Sequence, residues 1–347
     1  FHRKTKMGAL QVFILQHSHS RKQCCARGIN KEECRVKAKP QVQPPKGKFR
    51  KRFKKEKELW FWSGLSIVWW FIFFLIPLYG ILYAFFDYVP GRDLTWDRFV
   101  GFDNFVAFFE GKDAANIIRN TLVIGGLNIS VGFIAPIVLA LLFDELRSTK
   151  LKRVTQTVSY LPYFVSWVVV ASIITTCLGS EGVINEVLVG LGIIDDPILF
   201  LSEGEYFWTI ITVANIWKNI GWNTILYMSA IAGIDQELYE AGAVDGLGRW
   251  GMVRHITIPS ILPTIVLLFI LGIGNILNIG YEQNLLIGQP TTRAYWDIID
   301  TYVYRYGVQM GRHSFAIAVG LMKSVIGLFL VFLVNRIAKK TMDMSIF

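Results

Sequence analysis

Six stretches of this chain are long and apolar enough to read as helices across a hydrocarbon layer. Residues 60–86, 120–143 and 154–179 carry no charged side chain. Each exceeds the roughly 20 apolar residues that a core about 30 Å thick demands of a helix. Three further runs, 206–234, 260–288 and 315–335, are each interrupted once, by Lys218, Glu282 and Lys323. The pattern predicts an all-α integral membrane fold of six transmembrane helices. Two of the polar intervals between runs are long and acidic: 87–116 holds Asp87, Asp93, Asp97 and Asp103, and 180–205 holds Glu181, Glu186, Asp195 and Asp196. They are expected to carry short surface helices, either as solvated connectors or as a landing surface for an extracellular partner.

Charge orients the bundle. Residues 46–58 contain eight Lys or Arg and 144–153 contain four, whereas 180–205 contains none and 87–116 and 289–314 contain three each. Arg249 and Arg254 lie in the interval around Gly246, and Arg336, Lys339 and Lys340 follow the last run. The positive-inside bias therefore predicts that both termini and the Gly246 loop are cytoplasmic. The same distribution explains the net charge of +10 without nucleic acid, because the excess sits at membrane flanks. Composition agrees: 53% hydrophobic and 14% aromatic residues exceed the roughly 45–50% apolar content of a soluble domain. Cys24, Cys25, Cys34 and Cys177 lack the paired spacing of a zinc site and are read as free thiols. Residues 1–45 show no sustained period and are expected to be a disordered or artefactual extension, with 46–59 a basic cytoplasmic segment. Residues 60–115 would be the first helix and its external loop, and 336–347 a cytoplasmic tail.

Ionisable and amide groups inside apolar runs are costly and mark candidate pathways. Lys218 and Asn219 lie near the middle of the fourth run beside Trp217, Trp222 and Asn223; Tyr281, Glu282, Gln283 and Asn284 lie toward the outer end of the fifth. Amides and carboxylates hydrogen-bond sugar hydroxyls and aromatic rings pack pyranose faces, so this mixture suits a carbohydrate. Interhelical hydrogen bonding, or a Glu282–Lys323 pair, would account for the same residues structurally. Asn128, Asn275 and Asn278 are read as packing residues, and Trp60, Trp62, Tyr206 and Trp208 as interfacial anchors.

The cytoplasmic interval between the fourth and fifth runs has its own grammar. Asp235 or Gln236 can cap a helix through Val244, with Glu237 and Glu240 complementing its dipole. Gly246 then permits a turn, and a second helix over 249–257 leads to Pro259 and Pro263. Such a helix, lying on the membrane surface and joined to a spanning helix, can transmit a push. Read at finer grain, Glu240, Ala241, Gly242, Asp245, Gly246, Leu247, Ile256 and Pro259 resemble the signature loop with which the membrane subunits of ABC importers engage their ATPases. That pattern is E-A-A, three residues, Gly, nine residues, then I-x-L-P; here Gly242 replaces the second Ala and Ile258 the Leu.

Beyond the loop, residues 116–335 resemble the five-helix core of a binding-protein-dependent ABC importer permease of the carbohydrate class, in the oligosaccharide and polysaccharide branch that includes alginate importers. Leu161-Pro162, the run 235–242, Gly280-Tyr281-Glu282-Gln283, the run 300–305 and Gly320-Leu321-Met322-Lys323-Ser324 carry the likeness. The resemblance implies a second permease subunit, a paralogue, two ATP-binding subunits and an extracytoplasmic solute-binding protein that delivers an oligosaccharide. It implies that ATP and Mg bind on the ATPases, with no cofactor or metal and no catalytic residue on this chain. Glu240 and Asp245 would contact the ATPase. The segment around Lys323 lacks the glycine of a phosphate-binding loop, so the chain itself is not expected to hydrolyse ATP. Alternative cargoes within the class are a polyol, glycerol phosphate or a peptide. The rivals outside it are a secondary carrier driven by an ion gradient, against which the absence of a visible internal repeat counts, and a membrane scaffold.

Overall fold

The computed structural model describes residues 57–342. The expectations for 1–45, for 46–56 and for Cys24, Cys25 and Cys34 lie outside the described residues. Every regular element among the described residues is helical. The chain divides into two compact units at Trp70. In the first, α1 spans Lys57–Trp70 and exposes most of its aromatic and aliphatic side chains. The second opens with a π turn, Phe71–Leu75, and a 3-10 segment, Pro77–Phe85, with Pro77 in its first turn.

The remaining helices of the second unit are four long ones separated by groups of shorter ones. They run α2 (Asp103–Phe109), α3 (Ala114–Asp144), α4 (Thr149–Tyr160), α5 (Trp167–Cys177), α6 (Val183–Gly190) and α7 (Gly204–Ala232). After these come α8 (Gln236–Val244), α9 (Arg249–Met252), α10 (Ile258–Gly274), α11 (Glu282–Ile287), α12 (Arg293–Trp296), α13 (Ile299–Tyr304) and α14 (His313–Met342). The short α2 and α6 occupy the two acidic intervals expected to form surface helices.

Packing centres on α7, which lies chiefly along α3. At one end of this pair Ile124, Phe207 and Ile211 close a core with Ala171, Ile287, Trp296 and Ile298. At the other end Ala140, Tyr227 and Ile231 pack with Ile261 of α10. A third cluster, Phe108, Ile117, Ile299, Tyr302, Phe315 and Val319, joins α2, α3, α13 and α14. Ile211 and Tyr227 are sixteen residues apart, about 24 Å along a helix. The stretch of α7 between them holds its amides, and there the apolar core gives way to a polar cavity.

Four helical runs are long and apolar enough to cross a membrane: Lys57–Phe85, Ala114–Asp144, Arg249–Gly274 and His313–Lys340. A fifth arises if the pair Thr149–Phe164 and Trp167–Cys177, bent by 98°, is one broken span. Three of the six expected runs take a form that the apolar pattern did not show. The third run is two helices: at Pro162, which has no N–H, α4 passes into a 3-10 turn over Leu161–Phe164, and the break follows where Val165 and Ser166 are extended; Ser166 then caps α5 by accepting from the Val169 N–H. The fourth run is a 29-residue helix, α7, but its amides, Lys218 and threonines place it below the others in apolarity. The fifth run ends at Gly274, not at 288: Asn275 terminates α10, the chain turns at Gly280, and Glu282 opens the separate α11. The continuous absence of charge over 260–281 concealed that break.

Candidate functional site

The loop around Gly246 folds as a helix–turn–helix tied to the long apolar helix α10. Asp235 caps α8 by accepting from the Glu237 N–H at 3.1 Å. At the other end, the Leu247 N–H donates to the Gly242 carbonyl at 2.9 Å and the Gly246 N–H to that of Ala243 at 3.1 Å. This closure requires left-handed backbone at Gly246, whose φ is +77°. The second helix is not uniform: α9 passes into a π turn, Val253–Thr257, before α10. The Tyr239 hydroxyl bonds the buried Thr257 hydroxyl at 2.9 Å, so α8 is pinned to the base of α10. Arg249 pairs with Glu145 at the end of α3 across 3.8 Å, an exposed contact of little energetic weight.

Glu240, Ala241, Asp245, Gly246 and Pro259 face outward, Leu247 and Ile256 are half-buried, and Gly242 is buried beneath Ile256, Met252 and Leu247. Two residues that sequence reasoning passed over stand out here. Val244 is 88% exposed and Trp250 74% exposed, flanking the Gly246 turn. Large apolar groups so placed are little covered by the described residues. Their position beside a glycine turn was the available signal.

The polar cavity lies between α3, α7 and the segment after α10. Its volume is about 470 Å³, within the range of small-molecule sites. Asn128 of α3, Asn215, Asn219 and Asn223 of α7, and Asn275 and Asn278 beyond α10 line it. Tyr163 and Trp222 stack on its wall with ring centroids 4.5 Å apart and planes within 6°. Asn128, Asn275 and Asn278, expected to be packing residues, thus share one cavity with the predicted Asn219 and Asn223. The signal that could have found them is four-residue spacing on α7 and three-residue spacing after α10. It does not reach across helices.

Two neighbouring cavities share this lining. One of about 230 Å³ continues past Asn128 and Asn223 toward Tyr227 and Leu268. The other, of about 600 Å³, meets the first at Asn278 and carries Tyr281 stacked on Tyr304, with Asp300 and His313.

The structure does not bring the other predicted path residues to the central cavity. Lys218 is buried, and its ammonium donates to the carbonyls of Pro162 (3.3 Å), Tyr163 (2.7 Å) and Val165 (2.5 Å). It sits over the Tyr163 and Trp167 rings at 5.6 and 5.7 Å. The Pro162 carbonyl also accepts from the Val165 N–H at 3.2 Å, and the Tyr163 and Val165 carbonyls lie at the α4–α5 break, so Lys218 closes that break. Gly221, one turn on, lets the backbones meet: a Cβ there would lie 2.0 Å from the Ser159 carbonyl oxygen. Trp217 faces an apolar groove with Val170, Ile173 and Val213. Glu282 is exposed on α11, whereas Gln283 and Asn284 are buried and donate to the carbonyls of Ile279 and Gly280. Lys323 pairs with Asp300, not with Glu282. Asp300 also accepts from the Gly280 N–H at 3.2 Å, fastening the turn beyond α10 to α14.

A buried ionic cluster was also missed. Asp297 forms an ion pair with Arg305 at 2.7 Å and accepts from Thr301 at 2.5 Å and from Arg293 at 3.4 Å, while Asn120 of α3 donates to the backbone carbonyls of Ala294 and Asp297. Spacing alone shows Arg293 and Thr301 within one helical turn of Asp297; Arg305 and Asn120 reach it only through the tertiary fold.

Residues 132–343 match the family described as binding-protein-dependent transport system inner membrane component. The chain is 43% identical to protein LplB of Bacillus subtilis (strain 168) over 83% of its length and 90% of that protein. It is 40% identical to the polygalacturonan/rhamnogalacturonan transport system permease protein YteP of the same organism, over 79% and 85%. Among solved structures, a chain of the bacterial alginate ABC transporter, crystallised with an alginate pentasaccharide-bound periplasmic protein, superposes with a TM-score of 0.78. That match is 36% identical and covers 86% of this chain and all of that one. A chain whose described elements are all helical, with apolar spans, a loop of importer type between two of them and these relatives, belongs to the binding-protein-dependent inner-membrane transport components, the permease subunits of ABC importers in the bacterial cytoplasmic membrane.

Proposed function

We propose that this chain is the permease subunit through which an ATP-driven importer moves an oligosaccharide or polysaccharide fragment into the cytoplasm. One observation carries the reading: α10 links the loop to the cavity. It begins at the π turn held by Tyr239 and, about 21 Å along at helical rise, reaches Gly272, which lines the cavity. Movement imposed on α8 is therefore delivered to the cavity wall. Amides that both donate and accept, beside a flat Tyr163–Trp222 face, suit sugar hydroxyls and pyranose C–H surfaces. The polysaccharide relatives favour the same cargo over a polyol, glycerol phosphate or a peptide.

In this reading Glu240, Asp245, Val244 and Trp250 meet a groove on an ATP-binding subunit, which supplies ATP and Mg chemistry. Gly246 sets the angle between the two arms of the loop, and Ile256 and Pro259 fix the base of α10. A second permease subunit completes the path, and a solute-binding protein delivers cargo from outside. With α7 counted as a span facing this path, and the bent pair as another, the bundle has six crossings and both termini in the cytoplasm.

The test is purification of the tagged chain from gently solubilised membranes, followed by mass spectrometry and ATPase assay. The expected eluate contains an ATP-binding subunit and a second permease and hydrolyses ATP. A chain that is recovered alone and transports under an ion gradient contradicts the proposal and favours a carrier.

A further inference from the structure

The lobe that follows the 3-10 segment Pro77–Phe85 turns only some of its aromatic side chains inward. Its backbone is fastened to the end of that segment. The Asn104 amide donates to the Ala84 carbonyl and the Val100 N–H to that of Phe85, each at 3.0 Å, and the Asp87 N–H donates to the Arg98 carbonyl at 2.9 Å. Phe108, on the inner side of α2, is fully buried against the cluster of Ile117 and Tyr302. The lobe is therefore anchored to the fold, and its other side is open. That side carries Trp96, 82% exposed, and Phe102, 68% exposed, with Phe99, Val106 and Phe109 exposed beside them.

Helical spacing sorts α2 and its N-cap into three sectors. Phe102, Val106 and Phe109 fall on one exposed face, at i, i+4 and i+7. Asn104 and Phe108 point into the fold, and the exposed Asp103 and Glu110 share a third strip, seven residues apart. A connector open only to water gains nothing from dividing its exposed side into an apolar and an acidic strip. An element lying in a membrane boundary does, because one strip meets acyl chains and the other meets water. The apolar strip also continues the surface of the run before it. Phe85 meets Phe102 edge-on with ring centroids 5.6 Å apart, and Phe86 contacts Trp96 and Phe99 at 5.9 and 5.3 Å. Just before them Leu78, Tyr79, Ile81 and Leu82 are exposed at the end of the apolar run Lys57–Phe85. The ladder thus starts on a run suited to hydrocarbon and ends at a tryptophan, a residue type that collects at headgroup level.

We infer that the segment from Trp96 to Phe109 is an interfacial anchor, with phospholipid as the occupant of its apolar strip. In the proposed orientation this is the external leaflet. The lobe is then seated in the bilayer surface rather than carried free above it.

The test uses the complete importer in lipid nanodiscs, with the four native cysteines replaced. A nitroxide is attached at Val106→Cys or Phe109→Cys, and at Glu110→Cys as the control in the acidic strip. Power-saturation EPR compares collisions with oxygen, which concentrates in hydrocarbon, and with a nickel chelate, which stays in water. The Val106→Cys and Phe109→Cys labels are expected to favour oxygen, at a depth of about 5–10 Å, and the Glu110→Cys label to favour nickel. Adding the solute-binding protein should change none of them. Labels at both apolar positions that favour nickel overturn the inference, and their protection by added binding protein would assign the strip to that partner. Few collisions with either reagent would place the strip against the second permease and overturn it equally. Trp96 gives a second readout without a label. Lipids brominated near the headgroup end of the chain should quench the emission difference between parent and Trp96→Phe; no quenching contradicts the anchor.

Discussion

Lys218 and Asn223 sit five residues apart on one helix and do different work. Removing the Lys218 ammonium leaves the Tyr163 and Val165 carbonyls at the α4–α5 break without a donor, while Pro162 keeps the Val165 N–H, and each buried unsatisfied group costs about 1–3 kcal/mol. Lys218→Met is therefore expected to lower the melting temperature of the detergent-solubilised subunit by several degrees. Uptake should fall in proportion to the folded protein lost. Asn223→Leu is expected to leave the melting temperature within a degree or two and to cut uptake about tenfold, since its amide holds nothing within the chain. The reverse pattern, a stable Lys218→Met protein with altered sugar affinity, would return Lys218 to the path. Asp300 and Lys323 form a pair between α13 and α14. Asp300→Asn and Lys323→Met should each destabilise, and the double variant should be no worse than either single one, which a double-mutant cycle in thermal melts would read. Losses that simply add would mean that the two side chains act independently.

At the scale of elements, the loop is where sequence and structure agree most closely, for a physical reason. Its cap, its acidic first turn and its glycine are local devices whose chemistry involves residues within one or two turns, so Asp235, Gly246 and Pro259 were legible from spacing. Nothing local distinguishes a break compensated from another helix. The α4–α5 bend depends on a lysine 53 to 56 residues away, and the end of α10 shows no charge to mark it. Gly246 has open space around its Cα, so a side chain there meets strain from its φ of +77° rather than a clash. Gly246→Ala should cost about 1–2 kcal/mol of loop geometry and reduce ATP-coupled uptake in part. Gly246→Asp adds a carboxylate beside Asp245 and should abolish uptake while leaving the chain in the membrane; unaltered uptake in membranes carrying Gly246→Asp would remove the coupling role from this loop. Trp250→Ala, which disturbs no contact of the fold, should weaken association with the ATP-binding subunit by an amount typical of an aromatic anchor, about 2 kcal/mol, measurable by titration in detergent. Unchanged affinity would place the docking surface elsewhere.

Over the whole molecule, three cavities share asparagines end to end, and the helix pinned to the Gly246 loop lines two of them. Asn219 and Asn223 were visible as polar interruptions of an apolar run. Their company, from Asn128 on α3 to Asn278 beyond α10, was not, because a cavity is a property of helices meeting and leaves no period in any one of them. The predicted path residues Tyr281 and Glu282 fell beyond the central cavity when the fifth run ended early. The account as a whole claims that energy enters at the loop and sugar moves at the asparagines. It is tested most directly by reconstituting the chain with its second permease, ATP-binding subunits and binding protein in proteoliposomes. Uptake of a labelled oligosaccharide is then measured with ATP inside, and again with an ion gradient and no ATP. Uptake that requires ATP and disappears with Gly246→Asp is the predicted result. Uptake driven by the gradient alone, indifferent to ATP and to Gly246, would contradict it.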